Sequence, residues 1–458
     1  MVRAAQRSWL LSLLFILFLT SCASLQTQVS HYEFIDREFS ARQYDRALEE
    51  INNARNEGKY KEKDRVLFYL DIGITLHNAG KYKESNINLS KAELAIEENF
   101  TKSISKLAAS MVLNDNVLDY PGEDYEDIFI NILMALNYIH MNNVEDAMVE
   151  VKKIDVKLSK LESKYKGMAD KLSKSKENIK FKSGKTDLRN SALGSYMSMV
   201  SYNHLGKLDD ARIDKNRVQK AARANLNTFL EEVLKPSEGD KVAVYPICFA
   251  GKSPVKNPLE LSLDLNTDLK LGRIIVPGER DSGLFFKYEG DKDLTFKFAV
   301  PTISGRKTRI KSVRLLVDGQ PEGKMFLLED FSYVARKTFQ VKKPIIYLRA
   351  GIRSYLKTTA NIKATEKIKE KTEDKKLLGA ILKFTTDRVT EYSESADLRC
   401  WRTMPGDVYV GKIDLSPGTY DFTIEYINDR GQVIDMEIKR GVEVKKGGLN
   451  LIEGVSYK

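Results

Sequence analysis

The chain has 458 residues, with 74 Lys and Arg against 64 Asp and Glu, a formal charge of +10 at pH 7, four His and three Cys. That length is too great for one compact core and implies two or three domains. No stretch from Ala23 to Lys458 approaches the roughly 20 apolar residues of a spanning helix, so that part of the chain is expected to be soluble. The basic excess would attract anionic surfaces nonspecifically, although a solvated surface rich in Lys accounts for it more simply.

Residues 1–20 carry Arg3 and Arg7 and no acid, and the run Trp9–Leu19 is apolar apart from Ser12. A basic start and a short apolar core of this kind read as an export signal rather than a permanent span. Leu19-Thr20-Ser21-Cys22 matches a lipobox, in which small residues fit the signal peptidase and the thiol just after the cut receives diacylglycerol. Each buried methylene contributes about 0.8 kcal/mol, so several acyl chains such as palmitate on Cys22 hold the protein at a membrane. Residues 1–21 are therefore expected to be a signal peptide and residues 22–30 a linker. Removing 21 of the 458 residues leaves 437 and, with Arg3 and Arg7 gone, a charge of +8. Ala23, rather than Asp, follows the lipidated Cys, which in enterobacterial sorting permits transfer to the outer membrane. Inner-membrane retention stays open, because other bacteria sort differently. Only Cys248 and Cys400 remain for a disulfide in an oxidising compartment, and the sequence does not decide whether they bridge.

From about residue 31 to 235 the pattern is helical and self-similar. Tyr69, Ile72, Gly73, Leu76, Gly80, Tyr82, Leu89 and Ala92 fall in tetratricopeptide register, with Ser85 in place of the usual Ala. Tyr44, Ala47, Ile51 and Ala54 show the second helix of an earlier unit. Ala135, Tyr138, Asn142, Val144, Ala147, Val151 and Ile154 give a third copy. Tyr202, Gly206, Leu208, Ala211 and Val218 give a fourth, weakened by Lys215 where a large apolar residue is expected. The spacing is irregular, 38 residues from Tyr44 to Tyr82 and 62 from Tyr82 to Val144, so insertions interrupt any regular superhelix. One insertion has a readable seam. Ile154, Leu158, Leu161, Tyr165, Met168 and Leu172 step by 4 and 3 as in a coiled coil, within a stretch, about 152–185, that holds twelve lysines. A long helix is expected to reverse near Ser183-Gly184 and return, either as a basic arm or, more simply, as a hairpin lying back on its own repeats.

After Pro236-Ser237-Glu238-Gly239 short strand-like runs appear at 241–250, 259–265, 294–300, 313–317 and 324–328. Residues 328–357 return to helix, with Pro344 placed where a new helix could begin. Arg349, Arg353 and Lys357 recur at i, i+4 and i+8 on one face. They are candidate contacts for an anion or a partner, although the wet side of an amphipathic helix is the simpler reading. Residues 236–395 are thus expected to be a mixed strand and helix domain, in which the short apolar run 377–382 packs into the core. Residues 396–458 read as a small β-sandwich-like domain, where Pro417-Gly418 sets a turn and Tyr420, Phe422, Ile424 and Tyr426 alternate along a strand. Trp401 is expected to pack on that sheet.

The motifs of catalysis are missing. There is no HExxH, no Cys pair at metal spacing, no P-loop, no GxGxxG at a strand–helix junction and no GxSxG elbow. Ser282 has no basic partner in sequence, and no carboxylate pair stands out for acid–base work. The expectation is a protein that is not an enzyme, with no catalytic residues, no metal and no cofactor. Export would also remove nucleic acid as a partner.

The lipobox, the stretch Tyr196–Val218 with Leu205-Gly206-Lys207-Leu208-Asp209-Asp210-Ala211-Arg212, and the segment Lys241–Ala250 followed by Pro258-Leu259 carry a family resemblance. So do Phe298-Ala299-Val300-Pro301, the run Leu328–Lys337, the Arg349/Arg353/Lys357 helix, Ala396–Trp401, and Pro417-Gly418-Thr419-Tyr420. In these the chain resembles the poorly characterised tetratricopeptide-type lipoproteins of Gram-negative bacteria. The resemblance implies a periplasm-facing outer-membrane lipoprotein, in a family that often travels with lipoproteins resembling activators of peptidoglycan synthases. It transfers no catalytic residue.

The expected fold class is therefore α+β and multidomain, with tetratricopeptide-like helical repeats followed by a mixed β-rich region and a small β-sandwich-like domain. The expected role is a scaffold or assembly factor that grips other cell-envelope proteins in its repeat grooves. The competing role is a binding module for peptidoglycan, lipopolysaccharide or another anionic polymer or lipid.

Overall fold

The computed structural model describes residues 31–105, 115–173, 183–278, 284–288, 293–371 and 396–458. Leu19, Thr20, Ser21 and Cys22, the linker 22–30, Ser282 and the apolar run 377–382 lie outside the described residues.

Among the described residues, nine helices lie in the first half: α1 (Tyr32–Ser40), α2 (Tyr44–Asn56), α3 (Arg65–Asn78), α4 (Tyr82–Ser105), α5 (Asp124–His140), α6 (Val144–Ser173), α7 (Ala192–His204), α8 (Leu208–Ala221) and α9 (Asn227–Leu234). Four of the junctions have the same construction. Three residues separate the helices, and the middle one, Arg42, Gly80, Asn142 or Gly206, has a positive φ between 55° and 73°. The next amide then bonds back five residues: Gln43 to Glu38, Lys81 to Leu76, Asn143 to Tyr138 and Lys207 to Tyr202, all at 2.8–2.9 Å. This is the Schellman closure, which satisfies the terminal carbonyls and folds each helix back on its predecessor. Arg42 tolerates the left-handed region because its guanidinium is held by Asp435 at 2.9 Å and by the Val455 carbonyl at 2.9 Å.

The second half supplies strands β1 (Val242–Ala250), β2 (Val255–Asn266), β3 (Leu271–Ile275), β4 (Leu284–Lys287), β5 (Leu294–Ser304), β6 (Ser312–Val317), β7 (Gln320–Pro321), β8 (Phe326–Asp330), β9 (Asp407–Val410), β10 (Ile413–Leu415), β11 (Gly418–Ile427), β12 (Val433–Val444) and β13 (Asn450–Ser456). Among the described residues they form three sheets. The central one runs β10-β1-β9-β8 with β13 on the other edge of β1, the second β12-β11-β6-β7 and the third β4-β3-β2-β5. All the pairings are antiparallel except β1 with β13, which run parallel from Val244↔Asn450 to Ala250↔Ser456. The architecture is thus mixed α+β, helices first and mainly antiparallel sheets after.

Strand β1 shows why the layers stack as they do. Tyr245, Ile247 and Phe249 point into the core shared with the helices. Val244, Cys248 and Ala250 point the other way, into a core shared with Leu315, Phe422, Ile424 and Tyr426 of the second sheet. The period of two makes the central sheet apolar on both faces, so it must be covered twice. Helices cover one side and the β11/β12 sheet the other. Cys248 and Cys400 are both buried and unbridged.

The strands of residues 396–458 do not make a sheet of their own. β9, β10 and β13 hydrogen-bond to β1, and β11 to β6. The boundary expected near residue 396 therefore cuts through two shared sheets. Trp401, fully buried, packs on Phe129 of α5 with ring centroids 5.5 Å apart, in a core that also holds Val408, Val410 and Val455 of the central sheet.

One long helix, α10 (Phe331–Lys371), runs straight through Pro344, which therefore does not open a new helix as its position suggested. Proline leaves the carbonyl four residues back, that of Gln340, without its helical donor. Gly184 lies against that turn. Its amide donates to the Val341 carbonyl at 3.0 Å, and a Cβ built on it would sit 1.9 Å from the Gln340 oxygen. The seam residues Leu161, Tyr165 and Met168 of α6 pack on Val341, Ile345, Leu348 and Ile352 of α10. The seam is thus filled by a helix of the second half. Residues 183–190, the described part of the return, contain no helix. The Leu172 side chain lies outside the described ones.

Candidate functional site: a buried charge cluster and its cavity

Gly122-Glu123-Asp124-Tyr125-Glu126-Asp127 opens α5 with four acids. Acids suit a helix start because its free amides and dipole favour negative charge, and Glu123 and Glu126 form a capping box there. Here, however, the helix start is buried, so each carboxylate needs a partner. Asp124 accepts from Lys164 at 2.8 Å and from the Tyr165 hydroxyl at 2.8 Å. Asp127 accepts from Lys157 at 2.6 Å. Glu126 accepts from the Trp401 amide at 2.6 Å and the Tyr120 hydroxyl at 2.7 Å, yet burial and the neighbouring Glu123 push its carboxyl up to about 7. Glu123 is paired with Lys256 of β2 and, at 2.5 Å, with Lys342 of α10. Burial alone would lower the Lys256 ammonium, but Glu123 outweighs it and holds the group above the ordinary lysine range.

The row on α10 faces the same region. Arg349 and Arg353 both pair with Asp115, at 3.1 and 2.9 Å, and both arginines are buried. Burial would raise the Asp115 carboxyl, but the two guanidiniums pull it below the usual carboxylate range. The α10 surface bearing Arg349 and Arg353 is therefore an inner surface, and its charges are committed within the chain. The Lys357 side chain lies outside the described ones. Arg399 completes the cluster, pairing with Asp397 at 2.8 Å and with Asp64 at 3.0 Å.

Between these groups lies a cavity of about 200 Å³, lined by Lys256, Lys342 and Arg349, by the carboxylates of Asp115, Asp119, Glu123 and Asp397, and by carbon surface such as Phe100, Tyr165 and Ile345. Distant parts of the chain meet there: the end of α4, the segment 115–122 leading into α5, α6, α10, Lys256 of β2, Pro301 of β5 and Asp397. Of its polar lining, only Arg349 was expected from the sequence as a contact for an anion or partner. Lys256 and Lys342 are separated from Glu123 by 133 and 219 positions, and nothing local marks them as its partners. The local signal that did exist was the acid-rich helix start, too strongly charged for a helix otherwise so apolar.

A second polar cluster joins α3 and α5 to β13. His77 Nε2 and His140 Nε2 contact the two oxygens of Glu453, each at 2.7 Å, and His77 Nδ1 lies 2.7 Å from Asn137 Oδ1. Asn137 uses its amide nitrogen on Ser85 and Asn86, so its oxygen is the acceptor toward His77. Both ring nitrogens of His77 then donate, which makes it an imidazolium. Burial would lower His77, but Glu453 outweighs it and raises the group; in return the histidines hold Glu453 far below the carboxylate range despite its burial.

Among the described residues no group of three His, Cys, Asp or Glu side chains is arranged to hold a metal, and no helix is long and apolar enough to cross a membrane. Comparison with protein-family models, with curated proteins and with solved structures gives no match to this chain.

Proposed function

We propose that this chain is a non-enzymatic, lipid-anchored interaction protein of the cell envelope, acylated on Cys22 and facing the periplasm from the outer membrane. The observation that carries the reading is Leu19-Thr20-Ser21-Cys22 behind a basic, then apolar, leader. The tetratricopeptide-like character of the helices, and with it the resemblance to repeat lipoproteins linked to peptidoglycan synthesis, is supported by the four identical turns.

The geometry changes where partners would bind. In a helical repeat array the concave groove is the usual gripping surface. Here the first helices of the pairs spend their faces on the chain's own β layer: Phe129 meets Phe249 and Trp401, and the Tyr196 hydroxyl bonds the Gly411 carbonyl. The second helices keep aliphatic side chains outward. Leu94 of α4 and Val156 of α6, 61 % and 48 % exposed, line one open groove of about 460 Å³, and Ile87 and Val149 repeat the pattern seven residues earlier. The proposed partner surface is this outer side.

The reading is tested in cells with a clickable fatty acid and crosslinking. The wild type should incorporate label and fractionate with the outer membrane, whereas Cys22→Ser should lose both. A specific crosslinked envelope protein should disappear with Leu94→Asp/Val156→Asp while the fold persists. An unlabelled, soluble wild type would overturn the anchor, and unchanged crosslinks would overturn the surface. The competing reading, binding of an anionic polymer, draws on the exposed Lys152, Lys160, Lys166 and Lys171 of α6 rather than on Arg349 and Arg353. It requires salt-sensitive cosedimentation with purified cell wall, lost when those lysines are neutralised.

A further inference from the structure

We infer that the cavity between α4, α5, α6 and α10 is a binding site for a small amphiphilic acid, an anionic head on an apolar body. The inference is independent of the lipid anchor and of the outer partner surface.

The head is argued from the charges. Asp115 is taken by Arg349 and Arg353, Asp397 by Arg399, and Asp124 chiefly by Lys164, with Lys342 at 4.0 Å. Lys256 and Lys342 both pair with Glu123, and Lys256 also feels Asp397. Within close ion-pair distance the two ammoniums thus share one carboxylate, in a place where both lysines are at most 7 % exposed. Each ammonium has three donors, more than a shared carboxylate absorbs, and both side chains line the cavity. Buried donors need acceptors, and a monoanion seated in the cavity beside Lys256 and Lys342 supplies them.

The body is argued from the walls. Phe100, Pro121, Pro301, Met168, Ile345 and Ile346 offer carbon surface. A dianion or a sugar would leave that side unmatched, whereas an alkyl or aryl group would fill it. The volume of about 200 Å³ lies below the ~300–1,000 Å³ of drug-sized sites, which limits the ligand to a medium-chain or single-ring acid.

The test uses the purified mature protein and three probes of equal length: octanoate, 1-octanol and octylamine. Calorimetry should show saturable, one-to-one binding of octanoate, at least tenfold weaker binding of 1-octanol and none of octylamine. Lys342→Met should weaken octanoate at least tenfold and bring it level with 1-octanol. Should that variant fail to fold, Ser103→Trp decides instead, since Ser103 lines the cavity without belonging to the charge cluster. It should abolish octanoate binding while leaving the unfolding midpoint near that of the wild type. Failure of octanoate to bind, equal affinity for the alcohol, or full affinity in a folded Lys342→Met or Ser103→Trp protein would each overturn the inference.

Discussion

At His77 the imidazolium, Glu453 and His140 together tie two helices to the parallel strand β13, and this tie is sensitive to pH. A histidine raised by folding contributes stability that is fully present below its ordinary value of about 6.5 and is lost as pH rises through the raised value. A depressed carboxylate contributes stability present above about 4.3 and lost as pH falls through its folded value. The two statements describe one interaction, strongest between about pH 4.5 and 6.5. Urea unfolding should therefore show stability falling from pH 6 to 9, and His77→Gln should flatten that slope while costing about 2–3 kcal/mol at pH 6. A wild type and variant with parallel profiles would refute the tie. Gly184 makes a second residue-scale case. Gly184→Ala would drive a methyl into the Gln340 carbonyl, and overpacking of this kind costs about 1–3 kcal/mol. An unchanged urea midpoint would show that the segment simply moves aside.

Among elements, α6 and α10 illustrate how much was legible and what was not. The 4-and-3 spacing of Ile154, Leu158, Leu161, Tyr165 and Met168 correctly marks a buried stripe, because that pattern depends only on residues within one helix. The helix that fills it could not be read locally, since Val341 and Ile345 lie about 180 positions away. Continuation through Pro344 was hidden for a related reason. Proline's local rule favours a helix start, and the tertiary contact at Gly184 accompanies the exception. Leu161→Ala should cost about 2–5 kcal/mol and raise amide exchange in α6 and α10 before it does so in β1. Uniform loosening of the whole protein would argue against a discrete seam. Likewise, Arg349 and Arg353 were visible as a row, but a row of cations looks the same in sequence whether it faces water or Asp115.

The molecule as a whole is less divisible than its sequence suggested. One continuous apolar core runs from Tyr32 through Trp401 to Tyr457, joining helices to the central sheet. Helices α5 and α7 are buried over nearly their full length, so neither shows the one-sided pattern of a surface helix. Scanning calorimetry should accordingly give one main transition for residues 31–458. Residues 31–235 alone should bind hydrophobic dyes and lack a sharp melt, having lost the sheet that covers Phe129 and Tyr196. Two independent transitions, or a helical half that melts sharply by itself, would restore the domain boundary at 235.

The parallel partnership of β1 with β13 has a consequence for how the protein is made. Val244 waits for Asn450, so about 200 further residues must emerge before the central sheet acquires that edge. Until then Phe129, Tyr196 and their neighbours have no finished layer to rest on, and the nascent helices present oily faces to whatever surrounds them. Pairing of such distant segments is slow and invites aggregation. A holding chaperone should therefore bind truncated chains ending before residue 450 and release those that include Ser456.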